Sequence, residues 1–114
     1  MPLFDGKEYT GPVGIDGSDV PEKGGVYLIC VGSSGGERII ALYAADNMKK
    51  SLTENPKREC WNRYAVNNDM YSDGSLRCYY ILVENPSERD ALITRTVEIR
   101  PYNIPCYEAP KDDW

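Results

Sequence analysis

Histidine is absent from all 114 residues, and its absence removes Ser-His-Asp and Cys-His nucleophile systems from consideration. Any general base must therefore be a carboxylate, a tyrosine, a lysine, a cysteine or a metal-bound water. Cysteine is scarce too: Cys30, Cys60, Cys78 and Cys106 form no C-x-x-C pair. A thiolate metal site would need ligands from four distant places, which this spacing does not favour. No run approaches the roughly 20 apolar residues of a membrane span, so no membrane association is expected. The segment Met1–Asp5 lacks the basic and apolar regions of a signal peptide, and the expectation is a cytoplasmic protein.

What is present suits one small domain. Apolar residues make up 41% of the chain, enough for a single core in a chain of this length. Residues 1–24 are rich in Gly, Pro and Asp without periodicity, and read as an irregular N-terminal arm. Residues 25–104 carry the periodic segments, and residues 105–114 read as a tail. The nearly all-apolar run Val26–Val31 predicts a strand covered on both faces. A Gly- and Ser-rich turn at 32–36 and the run Ile39–Ala44 complete an antiparallel hairpin. If that turn is symmetric about Gly35, Tyr27 stands opposite Tyr43 on one face. Asp46 is the expected cap of a short helix over Asn47–Leu52, ended by Asn55-Pro56. A second helix runs from Lys57 to about Val66, with Cys60, Trp61 and Tyr64 at helical spacing. A third strand covers 76–84, and a last helix runs from an N-cap at Ser87 to about Arg100, stopped by Pro101. The expected class is α+β: a small mixed, mainly antiparallel sheet of at least three strands with helices packed on it. Cys30 and Cys78, each inside an apolar strand, are expected as buried free thiols.

Charge is unevenly spread around a net of −5. Segment 47–63 carries Lys49, Lys50, Lys57, Arg58 and Arg63 against Glu54 and Glu59. The first 24 residues reverse that balance, with Lys7 and Lys23 against five carboxylates. The overall charge opposes tight nucleic-acid binding, so any binding at the basic segment should be weak and salt-sensitive.

Four pieces together resemble the GIY-YIG nuclease domain over roughly residues 24–104. Gly25-Val26-Tyr27-Leu28-Ile29 looks like its first motif, and Leu42-Tyr43-Ala44-Ala45 stands where its Tyr-Ile-Gly would be. Asn47–Leu52 is similar to the helix that follows, and Pro101-Tyr102-Asn103 to the segment that closes the domain, with Glu88–Leu92 before it. The resemblance implies metal-dependent phosphodiester cleavage, with two tyrosines and an arginine about the scissile phosphate and a helix glutamate holding a divalent cation. Carried onto this chain, it names Tyr27, Tyr43, Lys49 and Asn103 as catalytic, and Lys49, Lys50 and Arg95 as phosphate-binding. Glu98 would be the Mg²⁺ ligand. The chain departs from the pattern at three places. Lys49 replaces the arginine and loses its bidentate grip, Ala45 replaces the motif glycine, and Arg95 falls where the metal glutamate should be. Glu98 lies one turn further along the same helix stripe.

Three expectations follow from these residues. One is a GIY-YIG-like domain whose nuclease chemistry is lost or weakened, retained as a binding module for nucleic acid or for another protein. A second is an active, divergent Mg²⁺-dependent endonuclease. A third is an unrelated α+β interaction domain in which the tyrosines merely pack.

Overall fold

The computed structural model describes residues 3–4, 7–33, 36–66, 76–98, 104 and 106. Its centre is the apolar run foreseen as a doubly covered strand. The elements in chain order are β1 (Leu3–Phe4), β2 (Lys7–Glu8), β3 (Thr10–Val13), β4 (Gly25–Ser33) and β5 (Gly36–Ala45). They continue with α1 (Met48–Thr53), α2 (Arg58–Val66), β6 (Leu76–Leu82) and α3 (Pro86–Glu98). β1 and β2 form a small ribbon of their own, and a four-stranded sheet has the order β3-β6-β4-β5. Every pairing in that sheet is antiparallel, so it is not mixed.

β4 sits between β5 and β6, and every residue from Val26 to Val31 is fully buried. Alternation divides its side chains between two cores. Tyr27, Ile29 and Val31 pack with Met48 and Leu52 of α1 and Trp61 of α2. Val26, Leu28 and Cys30 pack with Ile93 of α3, Tyr9 and Ile104. The sheet is therefore sandwiched, with α1 and α2 on one face and α3 on the other.

The hairpin register places Tyr27 opposite Tyr43, as the sequence predicts, by a compensation. Near the tip, Ser33 pairs with Gly36, one residue out of the assumed register. A bulge between Ile29 and Cys30 then inserts an extra residue on β5, which puts Ile40 and Ala41 into the same core. Gly25 has a steric role where β4 begins, because a Cβ there would run into the carbonyl oxygen of Ile81 and lie 2.9 Å from Met48 Sδ.

Several expectations are corrected. The N-terminal arm is not irregular throughout, since β3 adds an edge strand by pairing with β6, while residues 14–24 form only turns and bends. Its Gly11-Pro12 interrupts any period, and the strand forms because β6 offers a free edge. Gly11, at φ +146°, lies so close that a Cβ would be 2.7 Å from Cys78 O. The cap of α1 is Asn47, whose Oδ1 accepts the Lys50 N–H at 3.0 Å, and not Asp46. α3 begins at Pro86, and Asn85 Oδ1 accepts the Ser87 N–H at 2.8 Å, so Ser87 is inside the helix and not its cap. Proline in the first turn costs nothing there, because its missing N–H would have no helical partner. The expected stop at Arg100-Pro101 and most of the tail lie outside the described residues. Cys30 and Cys78 are buried free thiols. Cys60 and Cys106, solitary in sequence, are joined in a disulfide that closes a separation of 46 residues.

Candidate functional site

The tyrosine pair is the natural starting point. β4 and β5 present Tyr27 and Tyr43 side by side on the α1/α2 face, with ring centroids 5.4 Å apart and planes tilted by 42°. Tyr27 is completely buried. Its hydroxyl lies 2.7 Å from Ser51 Oγ on α1 and accepts a bond from Asn55 Nδ2 at 2.9 Å. Burial pushes the Tyr27 phenol above its ordinary range, and the bonds from Ser51 and Asn55 offset part of that rise. The phenol is accordingly neutral at physiological pH.

Tyr43 is equally committed. Its hydroxyl donates to Cys106 O at 2.9 Å and accepts from Trp61 Nε1 at 3.2 Å. The Trp61 ring stands 6.0 Å from the Tyr43 ring and is covered by the Arg58 guanidinium, 5.4 Å from its centroid. Arg58 donates to the carbonyls of Ile15 (3.0 Å) and Leu52 (2.8 Å), tying the N-terminal segment to the end of α1.

The cations expected beside these phenols do not converge on them. Lys49 is half-buried on α1 and faces Gly17, while Lys50 is exposed at the rim of a groove of about 410 Å³. Ala45, Asp46, Ser51 and Asn55 also line that groove. Arg95 belongs to the other side of the sheet. It is exposed on α3 and lines a separate groove of about 370 Å³ with Lys7, Ile81 and Leu92. Glu98, the last residue of α3, is likewise exposed there. Arg95 and Glu98, on α3, therefore lie on the opposite face of the sheet from Lys49, Lys50 and the two tyrosines. Asn103 lies outside the described residues.

Hard cations take several oxygen ligands, usually including a carboxylate. Among the described residues no group of three or more His, Cys, Asp or Glu side chains could hold a metal ion. Nor, among those residues, is any helix long and apolar enough to cross a membrane.

Sequence reasoning missed the residues that do surround the phenols. Ser51 and Asn55 read only as part of a helix and its stop, although Asn55 one turn after Ser51 can reach the same point. Cys106 acts through its backbone carbonyl, which leaves no mark in a sequence. Arg89 was noted only as part of a motif. It is buried at 7% exposure, donates to the carbonyls of Val83 (2.6 Å) and Glu84 (2.9 Å), and pairs with Asp46.

Comparison with known protein families, with characterised proteins and with solved structures finds no match to this chain.

Proposed function

We propose that the chain is a GIY-YIG-like domain that has lost phosphodiester hydrolysis and persists as a binding module. The observation that carries this reading is the engagement of the tyrosine pair inside the fold. Tyr27 is buried and bonded to Ser51 and Asn55, and half-buried Tyr43 is bonded to Trp61 and the Cys106 carbonyl. A phenol serving a scissile phosphate would have to be reached by it, whereas Tyr27 is wholly buried and the Tyr43 proton is already given to the Cys106 carbonyl. The sidedness of α3 adds support, because it removes Arg95 and Glu98 from the tyrosines.

The charge accounting favours a protein partner over a nucleic acid. Of the five cations in segment 47–63, Arg58 is spent on Trp61 and on the Ile15 and Leu52 carbonyls. Exposed Glu54 and Glu59 stand among the rest. Any phosphate contact rests chiefly on Lys49, Lys50 and Arg63, and such a small set binds weakly and loses affinity steeply with salt.

Single-turnover assays with Mg²⁺ and Mn²⁺ on branched DNA, single-stranded DNA and RNA should show no cleavage. Fluorescence anisotropy on the same nucleic acids should show weak binding at low salt, lost in the variant Lys49→Ala, Lys50→Ala, Arg63→Ala. Robust cleavage abolished by Tyr27→Phe would overturn the proposal and restore the active, divergent endonuclease.

A further inference from the structure

α3 meets the sheet along one stripe and leaves the neighbouring stripe open. The buried residues of the helix are Arg89, Ile93 and Thr96. Glu88, Ala91, Leu92 and Arg95 share a second stripe at helical spacing beside them. Ile81 of β6 packs against the same core as Ile93, and Val83 follows two residues later, on the same side of the strand. With Lys7 of β2, these residues line a groove of about 370 Å³. Its floor is apolar: Ile81, Val83 and Leu92 are half-buried, and Ala91 is exposed. Ala91 is the smallest side chain on that stripe, and it leaves space that a longer one would fill. Hydrogen bonds hold the floor in place. Ile81 pairs with Val26 of β4, the Val83 N–H donates to Gly24 O at 3.1 Å, and the Val83 carbonyl accepts from Arg89 Nε at 2.6 Å.

We infer that this groove is a binding site for a small apolar monocarboxylate. The hydrocarbon would lie on Ile81, Val83, Ala91 and Leu92, with the carboxylate turned toward Lys7 and Arg95. An apolar floor with a few polar groups at its border is the usual make-up of a small-molecule site. The charges choose the head group. Lys7 and Arg95 stand against Glu88, a sum of +1 in a chain whose net charge is −5. That sum matches a single negative charge, and Glu88 opposes a second one, which disfavours a dianionic phosphate monoester. The planar guanidinium of Arg95 suits a carboxylate, which it can hold by two parallel bonds. Size sets a further limit. At the roughly 30 Å³ a water molecule takes in the liquid, the groove admits on the order of a dozen non-hydrogen atoms, so a long acyl chain does not fit. The groove lies on the α3 face of the sheet, away from Tyr27 and Tyr43, and does not depend on what the tyrosine face binds.

Hexanoate is the probe, with 1-hexanol and hexylammonium as neutral and cationic counterparts of the same chain length. Titrating the ¹⁵N-labelled chain with hexanoate should give saturable amide shifts centred on residues 81–83 and 88–95, with a dissociation constant on the order of 1 mM. Hexanol should bind several-fold more weakly, and hexylammonium more weakly still. Arg95→Gln, a change on an exposed side chain, should bring hexanoate down to the level of hexanol. Ala91→Leu replaces one good helix former by another and should abolish binding of both by filling the groove. Four results would overturn the inference: no saturable shift at concentrations well above that constant, equal affinity for the three probes, shifts centred on α1 and α2, or hexanoate affinity unchanged in Arg95→Gln or in Ala91→Leu.

Discussion

Replacing Tyr27 by phenylalanine separates the structural reading of the tyrosine pair from the catalytic one. The substitution keeps the ring, and with it the contact to Tyr43, and deletes only the hydroxyl. Two hydrogen bonds go with it, one shared with Ser51 at 2.7 Å and one from Asn55 at 2.9 Å. Each such bond contributes about 0.5–1.5 kcal/mol net, so their joint loss costs roughly 1–3 kcal/mol. Ser51 and Asn55 are only half-buried and line an open groove, which lets water satisfy the groups left behind. That offset places the cost at about 1–2 kcal/mol, near the lower half of the range. At roughly 2.1 cal/mol/K of unfolding entropy per residue, this lowers Tm by about 4–8 °C. Urea unfolding should show a reduced midpoint with an unchanged slope, because the surface exposed on unfolding stays the same. A catalytic phenol behaves differently, since active-site groups are commonly held at some cost to stability. A Tyr27→Phe midpoint equal to or above the wild type would refute the structural assignment.

Four other substitutions probe three separate parts of the fold. Arg89→Ala should cost about 3 kcal/mol, because it strips charge-assisted bonds from two carbonyls, whereas Asp46→Ala, on a side chain 92% exposed, should cost under about 1 kcal/mol; paired urea midpoints check the contrast. Gly25→Ala should destabilise by about 2 kcal/mol or more or yield insoluble protein, since its Cβ meets the Ile81 carbonyl, a backbone atom that cannot swing away. Burial raises the Cys78 thiol from 9.0 to about 12. A group raised in the folded state stabilises fully below its unfolded value and loses that contribution as pH climbs toward the folded one. Wild-type stability should therefore fall more steeply than that of Cys78→Ala between pH 9 and pH 12, by up to ~4 kcal/mol in all, read from urea midpoints across the alkaline range. Parallel curves for the two proteins would contradict the assignment.

Local signals carried the hairpin. Continuous apolar runs on either side of a glycine-rich turn leave few alternatives to β4 and β5, and Tyr27 and Tyr43 fall opposite one another because bulged Ile40 offsets the shifted tip. β3 was invisible for the opposite reason. Gly11 and Pro12 are poor strand residues, and the segment pairs only because β6 lies beside it. Capping was legible in kind and displaced by one or two residues. Asn47 and Asn85 take the roles assigned to Asp46 and Ser87, since both candidates in each pair are capping residue types. The disulfide had no local signature, because cysteines 46 residues apart meet only when Cys106 docks against Ile40 of β5.

The division of the expected site turns on a property that motif order does not encode. A motif fixes which residues occur along the chain, while a sheet has two faces, and the helices that carry the motifs must each choose one. α1 and α3 here bury Met48 and Leu52 in one core and Ile93 in the other, so residues that a linear reading gathers are separated by the thickness of β4. The two strand tyrosines escape this ambiguity, since their shared face follows from pairing alone. What they do is then decided by their neighbours. Tyr27 is bonded to Ser51 and Asn55 and Tyr43 to Trp61 and the Cys106 carbonyl, so the pair ties α1, α2 and Cys106 to the sheet.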